Sequence, residues 1–188
     1  MTRVPPASRE LISKHLQAAF DRAVQKSGGV PRGGNHPVML HSPEACERAH
    51  HWAHYLRNDS VLSRPIRELA MLIIAREHDC QYIWNSHAAS GKQAGLSAGL
   101  VDALRDEKPL PSVKPEEAAA IKYGQEYYRT RRVSKGTFQE ALEQFGIQGL
   151  VELTMLMGFT AMLAFNVAAF DIDLPDQRTE PLLPIFPM

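Results

Sequence analysis

The stretch "VLSRPIRELAMLIIAREHDCQYIWNSHAASGKQAGLSAGLVDAL", residues 61–104, decides the fold because it predicts two helices joined by a short corner. Pro65 suits the first turn of the first helix. Its continuation "LAMLIIA" (69–75) is apolar on every side, so this helix is expected to be buried between layers. Asp79 is a suitable N-cap for the second helix, and Gly95 ends it. We therefore predict a helical hairpin.

Glu68 and His87 are expected to lie level with each other in this hairpin. Glu68 lies ten residues before a corner at His78, and His87 nine residues after it. At a rise of 1.5 Å per residue, both are roughly 14–15 Å from the corner. A partly desolvated carboxylate beside an imidazole suits proton transfer near pH 7. Two alternatives are that Glu68 only complements the helix dipole in the first turn and that His87 has only a structural role. We nevertheless predict that the two residues share an acid–base site.

Cys80 is expected to lie apart from His87. Seven residues separate them, roughly 10 Å along one helix, so no direct Cys–His pair is predicted. A position in the first helical turn should lower the thiol pKa, although Asp79 partly opposes this effect. Cys46 belongs to a different helix, and no disulfide between the two cysteines is expected.

Outside the hairpin the chain also reads as helical, and very little of it reads as strand. The pattern predicts an all-α fold with one compact domain over 1–188, a core over 9–171 and a Pro-rich tail over 172–188. Apolar residues in the tail indicate a docked arm. Further helix signals lie at 9–26, Ser42–Pro43, Pro115–Glu117, Ser134 and, after a break at Gly146, 150–170.

Composition excludes several classes of function. The chain has 188 residues, with 21 Lys and Arg against 21 Asp and Glu, so its formal net charge is zero. Nucleic acid is not expected as a partner, because phosphate binding needs a basic surface. Two cysteines do not form a disulfide scaffold, and the first residues lack a signal-peptide core. We expect a cytoplasmic protein.

The segment "LVELTMLMGFTAMLAFNVAAF", residues 150–170, is close to the length of a membrane span. It carries Glu152 and Asn166, however, and no basic residues flank its exit. We predict a central helix buried by its own domain and by a partner subunit, not a membrane span. Asn166 is expected to line a pocket or to bond across an interface. A homo-oligomer (dimer, trimer or hexamer) is therefore expected.

A metal site is not predicted. His50 and His54 share a helical face, with Glu47 and His51 nearby, but no third ligand at suitable spacing completes the set. The sequence also lacks a Gly-rich phosphate loop and a Ser–His–Asp signature.

The hairpin sequence resembles the carboxymuconolactone decarboxylase family, which includes the alkylhydroperoxidase D-like proteins. Both branches share a Glu, a His nineteen residues later and an "AGLS"-type ending, here Glu68, His87 and 95–97. In the alkylhydroperoxidase branch a CxxC pair lies between them, but this chain has Cys80 and then Ile83 in place of the second cysteine.

The decarboxylase branch commonly shows "YxWxxH", which Tyr82, Trp84 and His87 match. The resemblance implies an α-helical oligomeric enzyme without a cofactor, a lyase that acts on a small organic acid, lactone or related carbonyl compound. His87 would donate or accept a proton and Glu68 would orient it. Tyr82 would contact the substrate or its oxyanion, and Trp84 would wall the pocket.

Arg64 or Arg67 would hold a substrate carboxylate in this hypothesis. Two alternatives stay open at this point. One is a thiol-dependent alkyl hydroperoxidase (peroxiredoxin-type activity) that uses Cys80 alone, with an external thiol as the resolving partner. The other is a non-catalytic helical assembly module, against which the joint presence of Glu68, Tyr82 and His87 argues.

Overall fold

The computed structural model describes residues 2–30, 33–178 and 180–185, and all regular structure in these ranges is helical. This confirms the predicted all-α class. The α-helices are α1 (Gln17–Lys26), α2 (His36–Met39), α3 (Pro43–His54), α4 (Arg64–Glu77), α5 (Gln81–Ala94), α6 (Ala98–Arg105), α7 (Pro115–Thr130) and α8 (Lys135–Phe170).

Helix α4 is the centre of the fold, because it packs against α5, α7 and α8. Every residue of its segment 69–75 is buried, as the all-round apolar pattern predicts. Helix α5 can approach closely because Gly91 has no side chain. A Cβ at Gly91 would lie only 3.2 Å from Leu72 Cδ1 of α4. The predicted hairpin is therefore present and tightly packed.

The corner between α4 and α5 differs from the prediction in one detail. Cys80, not Asp79, is the N-cap residue of α5. Asp79 adopts the left-handed conformation with φ 49° and turns the chain between the helices. Gly95 ends α5 with φ 109°, as predicted.

Helix α8 is interrupted at Gly146, which has φ 65° and ψ 177° and lies outside helical geometry. The predicted separation of two helical segments is thus confirmed. Ser134 caps the first segment, since its Oγ accepts a hydrogen bond from Thr137 N at 3.3 Å. By length and composition, α8 is also the one described helix that would suffice to cross a membrane, a test that core helices can pass too.

The N-terminal region is less regular than predicted. A continuous helix over 9–26 was expected, but two short 3₁₀ turns, Arg9–Leu11 and Lys14–Leu16, precede α1. Ile12 and Phe20 from this region join a small second core that also contains Cys46 of α3. Of the apolar residues at helical spacing, Ile12 and Phe20 are buried, but Leu11 is 54% exposed, and the backbone is not one continuous helix.

The C-terminal tail docks on α5, as predicted. Gln81 and Leu183 exchange two hydrogen bonds, one of 2.8 Å from Gln81 Nε2 to the Leu183 carbonyl and one of 2.9 Å from Leu183 N to Gln81 Oε1. Leu183 is buried in the main core. Phe186, which contributed to this prediction, lies outside the described residues.

Candidate active site

Glu68 and His87 meet between α4 and α5. Nδ1 of His87 lies 2.9 Å from Oε2 of Glu68, and both side chains are largely buried, with 17% and 14% of their surfaces exposed. This confirms the prediction that they are neighbours. An ionised carboxylate only accepts hydrogen bonds, so this contact assigns the proton of a neutral imidazole to Nδ1. The lone pair of Nε2 is then available for chemistry.

The His87 ring lines a cavity of about 340 Å³. The cavity has an apolar wall and several polar groups that converge on it, as small-molecule sites commonly do. Its lining residues are Asn35, His36, Met39, Ala49, His50, Ala53, Arg57, Tyr82, Ile83, Ser86, His87, Phe159 and Leu163.

Arg57 supplies the cationic group of this cavity. It lies in a π-helical turn, Tyr55–Asp59, that directly continues α3. The residue is exposed. Desolvation by neighbouring atoms lowers the pKa of its guanidinium, and the nearby Glu68 carboxylate partly offsets this effect. A guanidinium remains protonated at neutral pH. The sequence analysis missed Arg57, since nothing local to it indicates that α3 faces the hairpin.

Two further histidines, His36 and His50, line the same cavity, and the sequence pattern did not place them there. The rings of His36 and His50 are perpendicular, with their centroids 4.2 Å apart. Burial lowers the pKa of both imidazoles, and the charges of Arg57 and Lys26 lower that of His50 further. Both rings are therefore neutral near pH 7.

Tyr82 lies between this cavity and a second one of about 470 Å³. Burial raises the pKa of its phenol, which therefore stays protonated and can donate a hydrogen bond. The ring packs over Gly34, where an added Cβ would lie 2.6 Å from the hydroxyl oxygen. Glycine at this position allows Tyr82 to reach the cavity.

Four of the residues proposed from the sequence to contact substrate do not line the cavity. Trp84 is 1% exposed in the core, where its Nε1 donates to the Pro181 carbonyl at 3.2 Å. Arg67 donates to the Leu62 carbonyl at 2.9 Å. Arg64 is exposed at the start of α4, and Asn166 is half-buried on α8. Of these three arginines, Arg57 lines the cavity, whereas Arg64 and Arg67 do not.

Cys80 is also separate from the cavity. It is 6% exposed, and burial raises its pKa more than the backbone N–H groups of Ile83 and Tyr82 lower it. The expectation of a lowered pKa was wrong, because desolvation at this N-cap exceeds the effect of the helix terminus. Cys80 and Cys46 are both free thiols, as expected.

No family model and no curated protein matches the chain. Solved structures do match. An alkylhydroperoxidase AhpD core, an uncharacterized peroxidase-related protein from Ralstonia eutropha, aligns with a TM-score of 0.69 and 15% identity over 93% of each chain. An uncharacterized peroxidase-related protein from Silicibacter sp. aligns with a TM-score of 0.69 and 16% sequence identity, and the alignment covers 93% of this chain and 92% of that one. The debrominase Bmp8 aligns with a TM-score of 0.69 and 15% sequence identity over 94% of each chain. A variant of Bmp8 has a structure in complex with 2,3,4-tribromopyrrole.

These matches show that the chain has the alkylhydroperoxidase D-like fold, as the sequence resemblance implied. The similar proteins include peroxidase-related proteins and a debrominase, so one fold carries different chemistries. The reaction has to be inferred from the side chains in the cavity.

Proposed function

We propose that this protein is an acid–base enzyme that acts on a small organic acid, lactone or related carbonyl compound in the cavity beside His87. The observation that carries the proposal is the 2.9 Å contact between Glu68 and His87 at the wall of that cavity. A carboxylate that orients an imidazole towards a sheltered cavity is an arrangement suited to general acid–base catalysis.

His87 would transfer the proton. With Nδ1–H donated to Glu68, Nε2 accepts a proton from a substrate carbon or oxygen, and the carboxylate stabilises the imidazolium that forms. The same nitrogen then returns the proton at the next step. Glu68 is a positioning residue in this scheme, because it acts through His87.

Arg57 and Tyr82 would bind the substrate. The guanidinium of Arg57 can pair with a substrate carboxylate. The phenol of Tyr82 can donate to the carbonyl oxygen on which negative charge develops during the reaction. In a decarboxylation, the electrons of the broken C–C bond would pass into that carbonyl to give an enolate and CO₂. His87, which enters this reaction as the imidazolium, would then give its Nε2 proton to the carbon and regain one from water before the next turnover.

A thiol-dependent peroxidase is the alternative that the names of two similar structures favour. Its cysteine would be Cys80, which is buried, lacks a second cysteine at Ile83 and does not line the cavity. A thiolate is the reactive form, and burial disfavours it here. The acid–base proposal therefore uses the groups that face the cavity, and the peroxidase alternative does not.

Exchange of carbon-bound protons tests the proposal before the substrate is known. The purified protein would be incubated in D₂O with a panel of small keto acids and lactones, and deuterium incorporation next to the carbonyl followed by NMR. We expect at least one compound to exchange, and His87→Ala and Glu68→Gln to slow that exchange by about 10²–10⁴.

His54→Gln is a matched control, since this histidine is exposed at the end of α3 and does not line the cavity. Peroxide consumption with added thiol would be measured in parallel. Peroxide turnover that disappears in Cys80→Ser, with no exchange of any compound, would overturn the acid–base proposal in favour of the peroxidase.

A further inference from the structure

We propose that His36, Cys46 and His50 form a binding site for a transition-metal ion, most favourably Zn²⁺, at the wall of the cavity that His87 also lines. The site concerns residues that the proposed function does not use, and its test requires no substrate. It also departs from the expectation, drawn from the sequence, that the protein binds no metal.

The three ligand atoms already lie close together. One donor atom from each side chain lies within 4.8 Å of the other two. Bond lengths of about 2.0–2.1 Å to nitrogen and about 2.3 Å to sulfur place tetrahedral ligands roughly 3.3–3.8 Å apart. Small side-chain rotations would close the remaining gap around an ion.

The backbone fixes two of these ligands. Cys46 and His50 are one turn apart on α3 and therefore lie on the same helical face. His36 is the first residue of α2, which packs against α3. The sequence analysis paired His50 with His54 on α3, and the fold instead provides its partner from another helix.

An unsatisfied polar atom points to a ligand at this position. Nε2 of His36 is buried and has no hydrogen-bond partner among the described residues. A buried polar group without a partner costs about 1–3 kcal/mol, so such atoms usually indicate a missing ion, water or ligand. Coordination to a metal would satisfy this nitrogen.

Coordination changes the protonation of one ligand. Each imidazole binds a metal through a nitrogen lone pair, whereas the Cys46 thiol has to lose its proton to bind one. On binding, a sulfur–metal bond replaces the S–H bond, and one proton leaves to solvent.

Positively charged side chains near the site oppose the binding of a divalent cation, and the choice of ligands decides which cation can bind. Arg57 and Lys26 lie near enough to His50 for their positive charges to act on it. The thiolate offsets one of the two positive charges of the metal, so the site depends on Cys46. One thiolate and two imidazoles favour Zn²⁺, or Co²⁺ as a spectroscopic substitute, over Mg²⁺ or Ca²⁺.

Three protein ligands leave a fourth tetrahedral position open. Since His36 and His50 both line the cavity, that position would face it, where water or a substrate oxygen could bind. This geometry is typical of zinc sites that take part in chemistry, whereas purely structural zinc sites have four protein ligands.

Calorimetry with ZnCl₂ on the full chain, stripped of metal by a chelator, tests the site. We expect one ion per chain and about one proton released per ion, obtained from titrations in buffers of different ionisation enthalpy. Cys46→Ser, His36→Gln and His50→Gln should each weaken binding by roughly tenfold or more. Co²⁺ should give a thiolate charge-transfer band that is lost in Cys46→Ser.

Two variants serve as controls for metal binding: His54→Gln for an exposed histidine of α3 and Cys80→Ser for the other buried thiol. Both should bind as the parent protein does. Circular dichroism would verify that the ligand variants fold, and Co²⁺ spectra of the folded parent protein decide the question if a variant does not. An absent thiolate band in the parent, or binding that survives Cys46→Ser but is lost in His54→Gln, would overturn the proposal.

Discussion

Tyr82 depends for its position on Gly34, which lies 48 residues earlier in the chain. Gly34 has φ 74°, and its missing side chain leaves the space in which the Tyr82 hydroxyl lies. Gly28 has a similar φ of 69°, but an added Cβ there would meet nothing within 4 Å. Alanine substitutions at Gly34 and at Gly28 can therefore separate the cost of backbone strain from the effect of displacing Tyr82.

Gly34→Ala and Gly28→Ala should therefore differ. Both put alanine in the left-handed conformation and should lose about 1–2 kcal/mol of unfolding free energy. Gly34→Ala should lose more, because the methyl group overlaps Tyr82, and it should also reduce the exchange activity. Urea denaturation and the D₂O assay measure the two effects. Equal behaviour of the two variants would contradict the positioning of Tyr82 by Gly34.

At the scale of helices, Glu152 connects α8 to the segment that carries Arg57. This carboxylate is 4% exposed and accepts hydrogen bonds from Tyr55 Oη at 2.8 Å, Val61 N at 2.8 Å and Gln148 Nε2 at 2.9 Å. It thus holds the first residue of the π-helical turn, Tyr55, and the chain just beyond its end, at Val61, against α8. The sequence marked Glu152 as unusual in an apolar helix but could not show its partners, which come from distant residues.

Glu152→Gln should destabilise the fold by about 1–3 kcal/mol, because an amide N–H₂ would face groups that donate hydrogen bonds. Glu143→Gln is the control, since Glu143 is exposed on α8 and, among the residues that the structure describes, accepts a hydrogen bond only from Gln139 of the same helix. Chemical denaturation at pH 7 measures the difference. A loss no larger than that of the control would contradict the bridging role.

The pH dependence of stability follows from the same carboxylate. Burial raises the pKa of Glu152, but its hydrogen bonds together outweigh this effect and lower the pKa below the ordinary 4.5. A folded-state pKa below the unfolded value means that Glu152 stabilises the fold above about pH 4.5. This contribution is lost as the pH falls through the folded-state value. Denaturation curves from pH 7 to 3 should show a smaller acid-induced loss for Glu152→Gln than for the parent.

Gly146 gives a further prediction at the scale of helices. Its φ and ψ of 65° and 177° belong to a region that only glycine occupies readily, so Gly146→Ala should cost about 1–3 kcal/mol. Gly136, also in α8, has ordinary φ and open space around it, so Gly136→Ala should be neutral or stabilising. A lower melting temperature for Gly146→Ala together with an unchanged or higher one for Gly136→Ala would support the interruption of α8 at Gly146. An unchanged melting temperature for Gly146→Ala would refute it.

The hairpin was predictable because its features are local. Helix signals place Glu68 and His87 at equal distances from the corner, and the 2.9 Å contact agrees with that arithmetic. The rest of the cavity was not predictable, since Arg57 and His36 reach it from helices whose packing the sequence pattern does not specify. Trp84 was predicted at the site but is not there. Its spacing matches the motif, yet its ring is buried in the core and donates a hydrogen bond to the docked tail.

At the scale of the whole molecule, α8 leaves an apolar stripe on the surface. The stripe consists of Ile147, Val151, Met155, Met162 and Phe165, of which Ile147 and Phe165 are 78% and 72% exposed. These positions recur at helical spacing over five turns and fall on one side of the helix. A continuous exposed apolar face of this kind usually marks a protein–protein interface.

We propose that this stripe covers the same stripe of a second copy, which would give the homo-oligomer expected from the sequence. A two-fold contact uses the same surface on both subunits, so a self-complementary apolar helix face is suited to it. Light scattering should therefore give a particle of at least twice the 21.0 kDa of one chain. Phe165→Glu should shift the particle towards the monomer, because it places a charge within the contact.

Leu110→Glu provides the matched control, since Leu110 is exposed in the connector between α6 and α7, away from the stripe. It should leave the particle size unchanged. A parent protein of 21 kDa at all concentrations would refute the oligomer, whereas an oligomer unaffected by Phe165→Glu would place the interface on another surface. Because α8 also contributes Phe159 and Leu163 to the cavity wall, dissociation should reduce the exchange activity as well if the interface stabilises this helix.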